Sequence, residues 1–178
     1  LTFAWLFERA GMWHEGVWPS VLFRLSNNLF LVQIVGMLAW TLLRHRKTDT
    51  FPDNYFFLLA LPLFLPAKFL ILSPEYFQTG WSMTTGLFRL AFLLMLERTL
   101  TQFMKNVFQA DILRTAVLDT TIKTLALLLV FEGLMPASLA GTIMLLLALL
   151  LAGRFIFWKP LLAMRRLDIG IMHLGYIA

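Results

Sequence analysis

Apolar and polar positions along this chain fall into long alternating blocks. At least five long apolar stretches run through its 178 residues, separated by short polar gaps. A helix needs about 20 residues to cross the roughly 30 Å hydrocarbon core of a bilayer. On that measure the pattern predicts spans over about 18–43, 54–72, 80–97, 115–134 and 137–158. The helical pattern of the third continues past Phe103 into the interface. Residues 1–11 are too short for a span and read as the tail of a preceding helix or an interfacial segment. Another apolar run begins near Ile169 and is cut off. Pro62 and Pro66 interrupt backbone hydrogen bonding in the second span and predict a kink, and Pro136 marks the turn after the fourth. The expected fold is an all-α, polytopic transmembrane helical bundle, about five complete spans with partial helices at both ends. Residues 1–178 form one helical region in this reading, an internal piece of a longer membrane protein.

The polar gaps differ in charge. Arg44, His45, Arg46 and Lys47 follow the first span, whereas residues 73–79 contain no Lys or Arg. The next gap carries Arg98, Lys105 and Arg114, and residues 133–138 again carry none. The last holds Arg154, Lys159, Arg165 and Arg166. Positive charge on alternate gaps is what the positive-inside rule produces when a chain threads a bilayer repeatedly. Loops 44–53, 98–114 and 154–168 are therefore expected on the cytoplasmic side. Trp18, Trp40, Trp81 and Trp158 lie near the span ends, where interfacial aromatics belong.

Composition narrows the classes further. The chain is 60% hydrophobic, against roughly 45–50% apolar residues in soluble domains. Its mean hydropathy is +0.78 and its pI about 10.0. A pI so high points to nucleic acid in a soluble protein. Here the three basic loops account for ten of the fifteen Lys and Arg residues, so no nucleic-acid partner is expected and the bilayer is the partner. Without cysteine there is no disulfide, no thiolate and no Cys-held metal. No phosphate-cradling Gly loop, nucleophile elbow or His-Glu-x-x-His helix occurs, and no catalytic residue is assigned.

Depth along each span sorts the intramembrane polar groups, at about 1.5 Å per residue. Lys68 and Glu132 lie close to outer ends and are expected to snorkel to the interface. Lys123 has Asp119 one turn before it, enough for an i,i+4 pair. Arg89 is nine residues from both Gly80 and Arg98, too deep to snorkel easily. It must face other helices, a polar cavity or an anionic group, with Glu97 too far along the same helix to be its partner. Ser20, Arg24, Asn27 and Asn28 give the first span a polar face for packing or binding, and Gln33 reads as packing. His45 is read as solvated, and His14 beside Glu15 has no second His near it. His173 lies within the last apolar run, as a packing residue or a ligand for haem iron or copper. Gly175 leaves room beside it for a neighbouring helix or a flat macrocycle.

Two segments carry a family resemblance. Arg98-Thr99-Leu100-Thr101-Gln102-Phe103-Met104-Lys105-Asn106 resembles the Arg-x-x-x-x-Phe-x-Arg-Asn segment that follows a span in the NnrS family. Arg154-Phe155-Ile156-Phe157-Trp158, a basic stretch and His173-Leu174-Gly175-Tyr176 are similar to that family's Arg-x-x-x-Trp and His-Leu-Gly-Tyr helix start. Glu97, Thr101 and Lys105 depart from the pattern, and the family's His-x-His-Glu-Met region has no counterpart at Trp13-His14-Glu15. The resemblance implies a multi-span protein of the bacterial inner membrane that binds haem and copper in the response to nitric oxide. By it, His173 is the expected metal ligand. Arg89 and Arg98 would neutralise haem propionates, and Phe103 and Asn106 are expected structural or cofactor-shell positions. Two other readings use the same residues: a small-anion permease lined by Arg24, Arg89 and the Pro-broken span, and a structural membrane subunit in which every polar group is a packing device.

Overall fold

In hydrocarbon every backbone N–H and C=O must find its partner within the segment, so long apolar runs become helices. The computed structural model describes residues 1–14, 16–47, 54–110, 112 and 115–177, and no strand occurs among them. Glu15, Asp111, Arg114 and residues 48–53 of the first basic loop lie outside the described residues. The helices are α1 (Thr2–Trp13), α2 (Ser20–His45), α3 (Asn54–Ile71), α4 (Phe77–Phe108), α5 (Ala116–Leu129), α6 (Ala137–Phe157), α7 (Pro160–Ala163) and α8 (Leu167–Ile177). Short 3-10 turns at Pro74–Tyr76 and Glu132–Leu134 precede α4 and follow α5.

Three of the five expected spans, α2, α3 and α6, are long and apolar enough to cross a membrane. The third, α4, has 32 residues, about 48 Å, and runs past Phe103 as the pattern predicts, but Arg89, Glu97 and Arg98 interrupt its apolar character. The fourth is shorter than expected. Its α-helix has 14 residues, about 21 Å against a core of roughly 30 Å, and the chain reaches Pro136 through the 3-10 turn. Helices α1 and α8 are partial, with 12 and 11 residues. Pro62 and Pro66 both lie inside α3, so the carbonyls of Leu58 and Pro62 lack the N–H that would normally reach them.

The chain divides into two units, residues 1–69 and 70–178. In the first, α1 packs along α2, and Gly11 permits the close approach because a Cβ there would strike the Ser26 side chain. Lys68 of α3 ties the unit together: its ammonium donates to Glu8 Oε1 at 2.7 Å and to the Asn27 carbonyl. Lys68 is thus held by α1 and α2, and does not simply snorkel.

In the second unit α4 and α5 run antiparallel at backbone contact. A Cβ on Gly86 would lie 2.9 Å from Val130 Cα, and one on Gly133 would lie 3.1 Å from Thr79 Cα. Helix α6 follows α5 around the turn at Pro136, and α8 packs back on α4 and α6. Lys159, at φ 52, and Pro160 redirect the chain between α6 and α7.

The α4–α5 contact should show in stability. Gly86→Ala is expected to cost about 1–3 kcal/mol by overpacking. Gly141→Ala, whose Cβ meets nothing within 4 Å, should be neutral or stabilising by up to about 1 kcal/mol. Thermal unfolding of the two variants in mild detergent checks both.

Candidate functional site

Helix α6 is the most hydropathic of the apolar helices, yet Arg154 is its one buried residue. Leu145, Leu146, Leu149 and Ile156 are exposed, Leu147, Leu150 and Leu151 pack against the buried core, and the single charge faces the other helices. Arg154 is three residues from the end of α6, and three further charges reach it there. Glu97 comes from the second half of α4, Asp119 and Lys123 from the first two turns of α5. All four are less than a tenth exposed.

Arg154 Nη2 lies 2.9 Å from Glu97 Oε1 and 2.7 Å from Asp119 Oδ1, distances of ion pairing without hydrogen-bond alignment. Lys123 Nζ donates to Glu97 Oε1 at 3.2 Å. Arg154 Nη1 donates to the Tyr176 hydroxyl of α8 at 3.0 Å. Trp158 stacks on Tyr176 with ring centroids 4.9 Å apart, and the guanidinium lies 4.5 Å from the Trp158 centroid. Two carboxylates, two cations and two aromatic rings so join α4, α5, α6 and α8 at one level. Pairing of this kind is what lets ionic groups remain charged away from water.

His173 belongs to the same cluster. It is fully buried, with Nδ1 3.3 Å from the Ile169 carbonyl and Nε2 3.4 Å from the Trp158 carbonyl. The rings of Phe155 and Trp158 stand edge-on at 6.0 and 6.3 Å. A neutral imidazole carries one N–H, so the ring donates to one of these carbonyls and crosses its other nitrogen against the second. Neither nitrogen opens onto space for a metal. Arg154 Nε and Trp158 Nε1, buried and without a hydrogen-bond partner, are N–H donors and suit an acceptor, not a cation. No group of three His, Asp or Glu side chains able to hold a metal occurs among the described residues. The residues present do not fit a haem or copper ion held by His173.

The other expected site residues lie elsewhere on α4. Arg98, Phe103 and Asn106 are exposed, while Leu93, Glu97, Leu100 and Met104 are buried. At 100° per residue these two sets occupy opposite sides of the helix. Arg89 is also exposed, and lines a half-open cleft of about 650 Å³ bounded by α4, α5, α6 and α8. Gly175 lines the same cleft, so it does leave space beside α8. In the first unit Arg24 is exposed, and the Asn28 amide donates to the Arg24 carbonyl at 2.9 Å. His14 is exposed with Nδ1 3.0 Å from the Ala10 carbonyl.

Sequence reasoning did not assemble Glu97, Asp119, Lys123 and Arg154. Depth places each on its own helix, and the i,i+4 spacing of Asp119 and Lys123 already offers a local pair. The available signal was collective: two carboxylates and two cations at matching depth, near the ends of spans that meet at the basic-loop side. Removing one member should leave its partners buried and uncompensated. Glu97→Gln and Arg154→Met are each expected to cost about 3–5 kcal/mol, and Tyr176→Phe about 1–3 kcal/mol through the lost hydrogen bond to a charged group. Unfolding midpoints of the three variants in one detergent give the ranking.

Known proteins supply the last observation. No curated protein and no solved structure matches the chain. A family model described as NnrS protein matches residues 1–178, the full length in which both motif segments lie. The chain belongs to the NnrS family.

Proposed function

We propose that this chain is a multi-span component of the bacterial inner membrane that acts in the nitric oxide response, relieving nitrosative stress, with loops 44–53, 98–114 and 154–168 in the cytoplasm. Family membership supports the role, and three helices of spanning length and composition support the membrane setting. The observation that carries the more specific reading is the meeting of Arg154, Trp158, His173 and Tyr176 with Glu97 in one buried cluster. The residues by which one motif segment is recognised are mutual packing partners. In this reading they lock four helices together, and His173 orients α8 instead of holding iron or copper. The structural role favoured here for the cluster lies within the nitric oxide reading and does not compete with it.

Three measurements test this. A strain lacking the protein should be more sensitive to a nitric oxide donor, and the full-length protein should restore resistance. Because these 178 residues contain no cysteine, single substitutions in them report topology by comparison with the unsubstituted protein: Lys47→Cys should add reaction with a membrane-impermeant maleimide from the cytoplasmic face, and Glu75→Cys from the opposite face. Finally, any Soret band of the full-length protein should survive His173→Ala with unchanged haem stoichiometry. Loss of that band in a folded His173→Ala variant would make His173 a ligand and reverse the structural reading.

A further inference from the structure

The buried cluster leaves one feature of the second unit unused. The cleft bounded by α4, α5, α6 and α8 has walls of apolar side chains, including Phe92, Leu96, Met144 and Leu151. Arg89 is the one charged residue among those that line it. Its guanidinium makes no hydrogen bond or ion pair among the described residues, whereas the buried charges Glu97, Asp119, Lys123 and Arg154 of this unit are paired. Arg89 is twelve residues from Phe77 and eight from Glu97, so about 18 Å and 12 Å along α4 from those points. A cation at such depth, in apolar surroundings, is costly until an anion meets it.

Size and charge together define the partner. A volume of about 650 Å³ falls within the range of roughly 300–1,000 Å³ typical of small-molecule sites. At roughly 30 Å³ for each heavy-atom-sized unit, the share of a water in the liquid, it holds about 20 heavy atoms. That suits one acyl chain with its head group and falls short of the two chains of a phospholipid. A single guanidinium matches a single planar carboxylate with two parallel hydrogen bonds. We propose that this cleft binds a single-chain amphiphilic carboxylate, a fatty acid in chemical class, with the carboxylate on Arg89 and the chain along Phe92, Met144 and Leu151. The proposal rests on the cleft and Arg89, independently of the nitric oxide reading.

Binding of a fluorescent long-chain fatty acid to the full-length protein in mild detergent tests it, with palmitate as displacing ligand. Arg89→Leu should weaken binding about tenfold or more, and Arg89→Lys should weaken it less. Gly175→Leu is the independent variant: a Cβ there meets nothing within 4 Å, so the protein should fold while the side chain fills the cleft and abolishes binding. Hexadecanol, which has the same body without the charge, should displace the probe poorly. Several results would each overturn the proposal: equal displacement by hexadecanol, an unchanged affinity in both Arg89→Leu and Gly175→Leu, or no saturable binding to the wild type. Displacement by phosphatidylglycerol as effective as that by palmitate would assign the cleft to bilayer phospholipid and would also overturn it.

Discussion

An arginine buried at the end of an otherwise apolar helix is the constraint on which the second unit depends. Placing a guanidinium away from water costs several kcal/mol unless opposite charges and hydrogen bonds replace the solvent. Arg154 finds two carboxylates, a phenol and the face of an indole. Glu97, Asp119 and Tyr176 come from three other helices, so satisfying Arg154 fixes where α4, α5 and α8 must stand against α6. Apolar side chains could not impose this. In a bilayer the lipid tails compete equally for them, and association falls to packing and polar contacts.

Close backbone packing and ionic pairing then divide the work along α4 and α5. Toward the beginning of α4 the chain approaches closely at Gly86, against the end of α5, and at Gly133 in the turn that follows it. Toward the other end the salt bridges take over, with Lys123 bridging back to Glu97. The first unit solves the same problem on a smaller scale: Gly11 lets α1 approach α2, and Lys68 closes the arrangement on Glu8 and the Asn27 carbonyl. Each unit therefore combines a glycine contact with a charge that only a neighbouring helix can satisfy.

Much of this was legible from the chain. Apolar runs located the helices, the long reach of α4 beyond Phe103 and the partial helices at both ends. The family motifs were recognisable, and Arg89 stood out by its depth. The depth argument, however, is one-dimensional. It measures how far a charge lies from the end of its own helix and knows nothing of what lies across from it. Lys68 and Lys123 could therefore be explained by snorkelling and by a local pair, although both reach carboxylates on other helices. The same blindness affected His173. Depth marks the imidazole as unusual but does not reveal that its two nitrogens face the carbonyls of Ile169 and Trp158, one of them fifteen residues away. The short α5 has a different cause, since the chain leaves the α-helix at Val130 and covers the remaining distance in turns.

Glu97 and Arg154 act as a pair across α4 and α6. A double-mutant cycle on Glu97→Gln and Arg154→Gln, followed by unfolding in detergent or lipid, measures that coupling directly. The double variant should lose less stability than the two single losses together, with a coupling of about 1–3 kcal/mol. Additive losses, agreeing within about 0.5 kcal/mol, would mean that the two residues do not share an interaction and would contradict it.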